Sequence, residues 1–192
     1  MGRGRRFVIA HLIGIAALAA AVAQPAFAQT PASPLVDVSG GISFLTGSGD
    51  NFPRLTTSKG FQVGVAAHLN KWFGVFADLG GHFSTVTDLG PGYPASSAET
   101  SVHEFLFGPR FTFRSGRAGM FVHGLFGVAK GHTNIGFSDS ALAFGGGGGA
   151  DVDLTARLAV RGQLDMLGSF ADIMETATRF SVTLVARFGS RQ

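Results

Sequence analysis

The chain is 192 residues long, contains no cysteine and carries 15 basic against 12 acidic residues. Arg3, Arg5 and Arg6 lie in the first 28 residues, so the remainder holds 12 charges of each sign, a balance that argues against a nucleic-acid partner. Only 14% of residues are charged, against roughly 25% in ordinary soluble domains, too few to cover a surface that faces water on all sides.

Residues 1–28 read as a secretory signal peptide. The three arginines precede an apolar run from Phe7 to Ala23, and Ala26-Phe27-Ala28 sets the cleavage point between Ala28 and Gln29. A membrane-spanning anchor is the competing reading, but the run falls short of about 20 residues and is interrupted by His11. Without cysteine the exported chain has neither a lipoprotein anchor nor disulfides. Residues 29–34 form a short linker.

From residue 35 the sequence alternates between apolar and small or polar residues. In "FQVGVAAHL", Phe61, Val63, Val65, Ala67 and Leu69 share one face while Gln62, Gly64, Ala66 and His68 share the other. That period of two defines a strand with unlike faces. The same pattern predicts eight strands, at 35–45, 58–69, 73–84, 101–113, 118–130, 141–154, 158–167 and 178–188. Each has about the nine to eleven residues, or slightly more, that a tilted strand needs to cross a bilayer. The connections at 46–57, 85–100, 131–140 and 168–177 are long and polar, whereas those at 70–72, 114–117 and 155–157 are short. Long loops at one end and tight turns at the other are the layout of a transmembrane barrel.

Hairpin register tests this reading, because paired residues must point to one face. Pairing Leu154 with Leu158 puts Val152 opposite Val160 and Asp151 opposite Arg161. Pairing Leu69 with Phe73 sets Val65 against Ala77 and Phe61 against Gly81. A two-residue Ser115-Gly116 turn sets Phe107 opposite Gly124, and Pro109, which lacks an N–H, predicts a bulge or register adjustment at Gly108-Pro109. In "FGGGGGADVDL", Gly145, Gly147, Gly149, Asp151 and Asp153 share the inward face. The run has neither the lysine nor the helix of a phosphate loop, so its glycines make room in a crowded lumen.

Alternation alone leaves a soluble lipocalin-like binder as the fold-level alternative. The apolar face, which includes Val38, Ile42, Phe44, Phe61, Val63, Phe105, Phe107, Phe113, Phe126, Leu142, Met166, Phe180 and Leu184, is too bulky for the interior of an eight-stranded barrel and belongs outside. A closed barrel is also the sheet that satisfies its hydrogen bonds in lipid. The fold class is therefore all-β, an eight-stranded antiparallel up-and-down transmembrane β-barrel over 35–188, preceded by a cleavable signal peptide and followed by a tail at 189–192.

The segments "SVHEFLFGPRFTFRSGRAGMFVHGLFGVAKG", "FGGGGGADVDLTARLAVRGQLDML" and "RFSVTLVARFG", in that order, resemble the small outer-membrane β-barrel domain family, similar to OmpA-like and opacity-type barrels. The resemblance implies a place in the outer membrane of a diderm bacterium, with outer-membrane lipid and the barrel-insertion machinery as partners. It implies no single activity. Such barrels commonly end on an aromatic residue, a role that falls to Phe188, although Gly189, Ser190, Arg191 and Gln192 follow it. The chain stops after the eighth strand, so a peptidoglycan tether is not carried over.

The predicted lumen face gathers Asp37, Asp78, Glu104, Asp151, Asp153 and Asp165 against Arg110, Arg161, Arg179 and Arg187, with His68, His82 and His123 among them. Charges in a narrow interior pair, because an unpaired buried charge costs several kcal/mol. The expectation is a structural network that occludes the lumen, with Asp151 paired to Arg161; a narrow channel for water or small ions is the alternative. His82, Ser84, His103, Glu104 and His132 fall near the outer rim, where some small barrels are hydrolases or acyltransferases. No nucleophile motif or HExxH spacing joins them, so no catalytic residue, cofactor or metal is assigned. The longest loop, 85–100, carries Tyr93 and is the expected contact for an extracellular ligand of a monomeric barrel with a structural or surface-interaction role.

Overall fold

The computed structural model describes residues 34–48, 57–87, 97–134, 138–169 and 176–189. The predicted signal peptide at 1–28, with its expected cleavage point between Ala28 and Gln29, residues 29–33 of the predicted linker and residues 190–192 of the predicted tail lie outside them. Eight strands form a closed sheet in chain order: β1 (Val36–Ser48), β2 (Thr57–His68), β3 (Phe73–Thr87), β4 (Ser97–Ser115), β5 (Ala118–Thr133), β6 (Ser138–Asp153), β7 (Leu158–Ser169) and β8 (Thr176–Phe188). Every neighbouring pair is antiparallel, and β8 returns to β1 through thirteen paired positions from Ser48↔Thr176 to Val36↔Phe188. Closure leaves no sheet edge, as hydrocarbon requires.

Short turns gather at the end where β1 begins and β8 stops. Asn70 Oδ1 accepts from the backbone N–H of Trp72 (3.0 Å) and Phe73 (2.8 Å), and Thr155 Oγ1 accepts from those of Arg157 (3.2 Å) and Leu158 (3.1 Å). These side chains close the turns by capturing backbone donors locally. The expected registers around Lys71 and Ala156 hold, with Val65↔Ala77, Phe61↔Gly81, Val152↔Val160 and Asp151↔Arg161.

The hairpin between β4 and β5 corrects the sequence reading. Its turn residues are Gly116 and Arg117, with Ser115 paired to Ala118, so Phe107 faces Phe126 instead of Gly124, their ring centroids 4.0 Å apart. Gly116 stands first in the turn at φ 57°, a left-handed conformation that glycine adopts without a Cβ penalty. Pro109 makes no bulge. The ladder with β5 lapses at Gly108 and Pro109 and resumes in the same register, while the ladder with β3 runs through Val75↔Pro109 without a break. The missing N–H therefore costs ladder bonds on one side and leaves the facing of Arg110 unchanged.

The strands run further outward than alternation predicted. Thr85↔Glu99 and Thr87↔Ser97 extend a hairpin into both ends of the expected 85–100 loop, leaving 88–96, with Tyr93, outside the described residues. Thr and Ser pair well in a ladder whatever their polarity, so a polar stretch need not be a loop.

Large apolar side chains point outward: Ile42 is 59% exposed, Leu142 and Met166 65%, and Leu184 61%. The soluble alternative required them inside. Trp72 stacks on Phe111 at the short-turn end, with Phe73 against the same ring, as in the aromatic girdle of a membrane barrel.

Candidate functional site

Strand parity sends the charged residues inward, where they form two clusters. The outer one centres on Arg179 of β8, which is completely buried. Its Nη1 donates to Glu104 Oε2 (2.9 Å), its Nη2 to Asp165 Oδ2 (2.7 Å) and to Asp78 Oδ2, and its Nε to Asp165 Oδ2 (3.0 Å). Gln62 Nε2 donates to Asp78 Oδ1 and Gln163 Nε2 to Asp165 Oδ2, both at 2.8 Å. His123 Nε2 lies 2.8 Å from Asp165 Oδ1, and His82 Nε2 lies 3.0 Å from Ser43 Oγ. The bond from Arg179 to Glu104 joins β8 to β4, strands on opposite sides of an eight-stranded barrel. One guanidinium thus bridges the full bore.

The second cluster fills the short-turn end. Arg161 meets Asp151 in two parallel bonds, Nε to Oδ1 at 2.7 Å and Nη2 to Oδ2 at 3.0 Å, the fork geometry that suits arginine and carboxylate. Arg187 donates to Asp153 Oδ1 (2.5 Å) and Asp151 Oδ2 (3.4 Å). Arg114 Nη2 donates to Asp37 Oδ2 (2.9 Å), which His68 Nε2 also approaches at 3.1 Å. Arg114 falls in the predicted 114–117 turn, but β4 continues to Ser115 and places it at the lumen mouth.

Arg110 is buried without joining either network, and none of its three nitrogens has a hydrogen-bond partner among the described residues. Its guanidinium lies 3.7 Å from the centroid of the Phe121 ring and 5.2 Å from that of Phe76; Arg161 lies over the same Phe121 ring at 4.8 Å. Aromatic faces attract such cations, more strongly where water is excluded.

The lumen is also more apolar than the sequence reading held. Leu45, Phe76, Leu106, Leu125 and Leu167 pack together inside with Ala66 and Ala143. Phe76 stands two residues before Asp78, and Leu167 two after Asp165, so the parity that assigned the charges assigned these as well. Glycines admit the crowd: a Cβ at Gly147 would stand 2.1 Å from Asp165 Oδ1, and one at Gly149 2.7 Å from Phe121 Cζ.

The rim residues weighed as a catalytic group are divided by the wall. His82 and Glu104 are buried inside, whereas His103 and His132 are exposed on the outer face, His103 edge-on to Phe83. Phe188 ends β8 opposite Val36 and is 56% exposed.

The family model of the outer membrane protein beta-barrel domain matches residues 14–188. Among solved structures, Neisserial surface protein A is similar with a TM-score of 0.64 and 11% identity, covering 80% of this chain and 97% of that one. Ail, the attachment invasion locus protein of Yersinia pestis, gives a TM-score of 0.58 at 16% identity, covering 81% and 99%. OprG from Pseudomonas aeruginosa gives 0.55 at 10%, covering 83% and 98%. No protein of curated function matches the sequence.

Proposed function

We propose that this chain, which belongs to the outer membrane protein beta-barrel domain family, is a closed scaffold whose lumen is plugged by its own ion network and whose outer loops carry any contact with the surroundings. It is a protein of the bacterial outer membrane, and its family is one of barrel domains, not of enzymes. The observation that carries the occluded reading is Arg179, bonded at once to Asp78, Glu104 and Asp165 from three other strands. A permeating ion would have to separate charges that are buried together, and breaking such a set costs several kcal/mol. Phe76, Leu106, Leu125 and Leu167 reinforce the plug with side chains that offer an ion no ligand.

Liposome swelling tests this directly. Vesicles bearing the refolded barrel are expected to swell in small solutes no faster than empty vesicles; faster swelling favours the narrow channel instead.

The surface-interaction role rests on the loop between β3 and β4, and Ail, a structural neighbour, has been solved with the heparin analogue sucrose octasulfate. Deleting 88–96 spares Ser97 and Ala98, which pair with Thr87 and Val86. Loss of adhesion to cells or matrix with the barrel intact supports binding through this loop; unchanged adhesion supports a purely structural role. Lipid surrounds the wall, and a monomeric barrel delivered by the insertion machinery, which would engage the last strand at Phe188, completes the partner set.

A further inference from the structure

Registers across β2, β3, β4 and β5 order the lipid-facing wall into rows. Val63, Leu79, Phe105 and Val128 form one apolar row. The next row outward is Phe61, Gly81, His103 and Lys130, and the one beyond it is Lys59, Phe83, Ser101 and His132. Lys59, His103, Lys130 and His132 are all exposed, and no ion pair engages either lysine among the described residues. The rest of the wall differs. At the same end of β6, β8 and β1 the outward positions are Ser138, Ser140, Thr176, Thr178 and Thr46, hydroxyls without charge.

The basic groups therefore occupy one side of the barrel, in the two rows where the apolar surface gives way to the headgroup layer. A lysine at this level keeps its stem on the apolar wall and its ammonium among headgroups. Three strand spacings of about 4.8 Å separate Lys59 from His132, so the patch is roughly 15 Å wide, too broad for one small anion. The rim is concave at the outer of these two rows: a cavity of about 730 Å³ is lined by Lys59, Phe83, Thr85, Ser101, His132 and Asn134, with His103 and Lys130 one row inward of it. Its single carboxylate is Glu99, which lies in the row beyond the basic groups.

We propose that this side of the outer rim binds the phosphorylated headgroup of an outer-leaflet lipid, with Lys59 and Lys130 holding phosphate, Ser101 and Asn134 offering hydrogen bonds, and Phe83, Phe105 and Val128 supporting the acyl chains. Charge complementarity and the adjoining apolar row favour a lipid over a soluble polyanion, which would have no use for the hydrocarbon surface beneath the lysines.

The test uses the refolded full barrel in detergent micelles, with diphosphorylated lipid A and its dephosphorylated form as probes and native mass spectrometry as the readout. Wild type should retain the phosphorylated lipid and not the dephosphorylated one. The K59Q/K130Q variant should retain it roughly tenfold less or worse, since each lysine near an anionic surface contributes measurably to binding. Lys71 stands in a turn at the opposite end, so K71Q should bind as wild type does. Heat-modifiable migration on gels verifies that each variant is folded. Equal retention by K59Q/K130Q, equal retention of the dephosphorylated lipid, full displacement by inorganic phosphate, or binding of soluble heparin in place of lipid would each overturn the assignment.

Discussion

The two ion clusters in the lumen hold their charges in opposite ways. Around Arg179 one cation serves three carboxylates, whereas at the short-turn end Arg114, Arg161 and Arg187 share Asp37, Asp151 and Asp153. The first is a hub whose loss leaves every partner exposed to like charge. The second is a mesh in which Asp151 keeps Arg187 if Arg161 is lost. The hub is buried throughout and the mesh opens to water only at Arg114 and Asp153, with side chains 19% and 15% exposed, so the main difference between them is connectivity.

The largest effect should follow from breaking the hub. Arg179→Met leaves Asp78, Glu104 and Asp165 buried without their cation and should lower the stability of the refolded barrel by about 3–5 kcal/mol in a urea titration. A loss below about 1 kcal/mol would remove the distinction between hub and mesh. The mesh should yield less: Arg161→Met should cost about 1–3 kcal/mol, because Arg187 stays 3.4 Å from Asp151. Within the mesh, Asp151→Arg alone should destabilise the barrel, and adding Arg161→Asp should recover most of the loss; a double variant no better than the single one contradicts the pairing. The last comparison sets the space between the clusters against the outer wall, where Gly162 lies and the smallest effect falls. Gly149→Ala should cost about 1–3 kcal/mol through collision with Phe121 and the Gly162 carbonyl, whereas Gly162→Ala, which meets nothing within 4 Å, should change stability by less than about 0.5 kcal/mol. Equal costs at the two positions would show that crowding does not set the lumen's shape.

Much of this architecture is legible in the sequence because a strand's period of two is rigid. Once Asp151 and Arg161 are read as facing pairs, Arg179, Asp165 and Asp78 fall on the same inner surface by parity alone. Parity gives a face but not a partner. Which carboxylate reaches Arg179 depends on strand tilt and stagger around a closed barrel, and these are set by all eight registers together. The β4–β5 hairpin shows the local form of this limit: shifting its turn by one residue, from Ser115-Gly116 to Gly116-Arg117, moved Phe107 from Gly124 to Phe126. The inner apolar cluster was missed for another reason. Phe76 and Leu106 share parity with the charges, but the charges alone mark a polar face, and a narrow bore needs filling as much as neutralising.

Single-channel recording across a planar bilayer tests the plugged lumen most directly. The wild-type barrel, inserted and verified by its heat-modifiable migration, is predicted to leave the current at the baseline of the bare bilayer under applied voltage. Stable, stepwise conductance from the wild-type chain would contradict the account and favour the narrow channel for water or small ions.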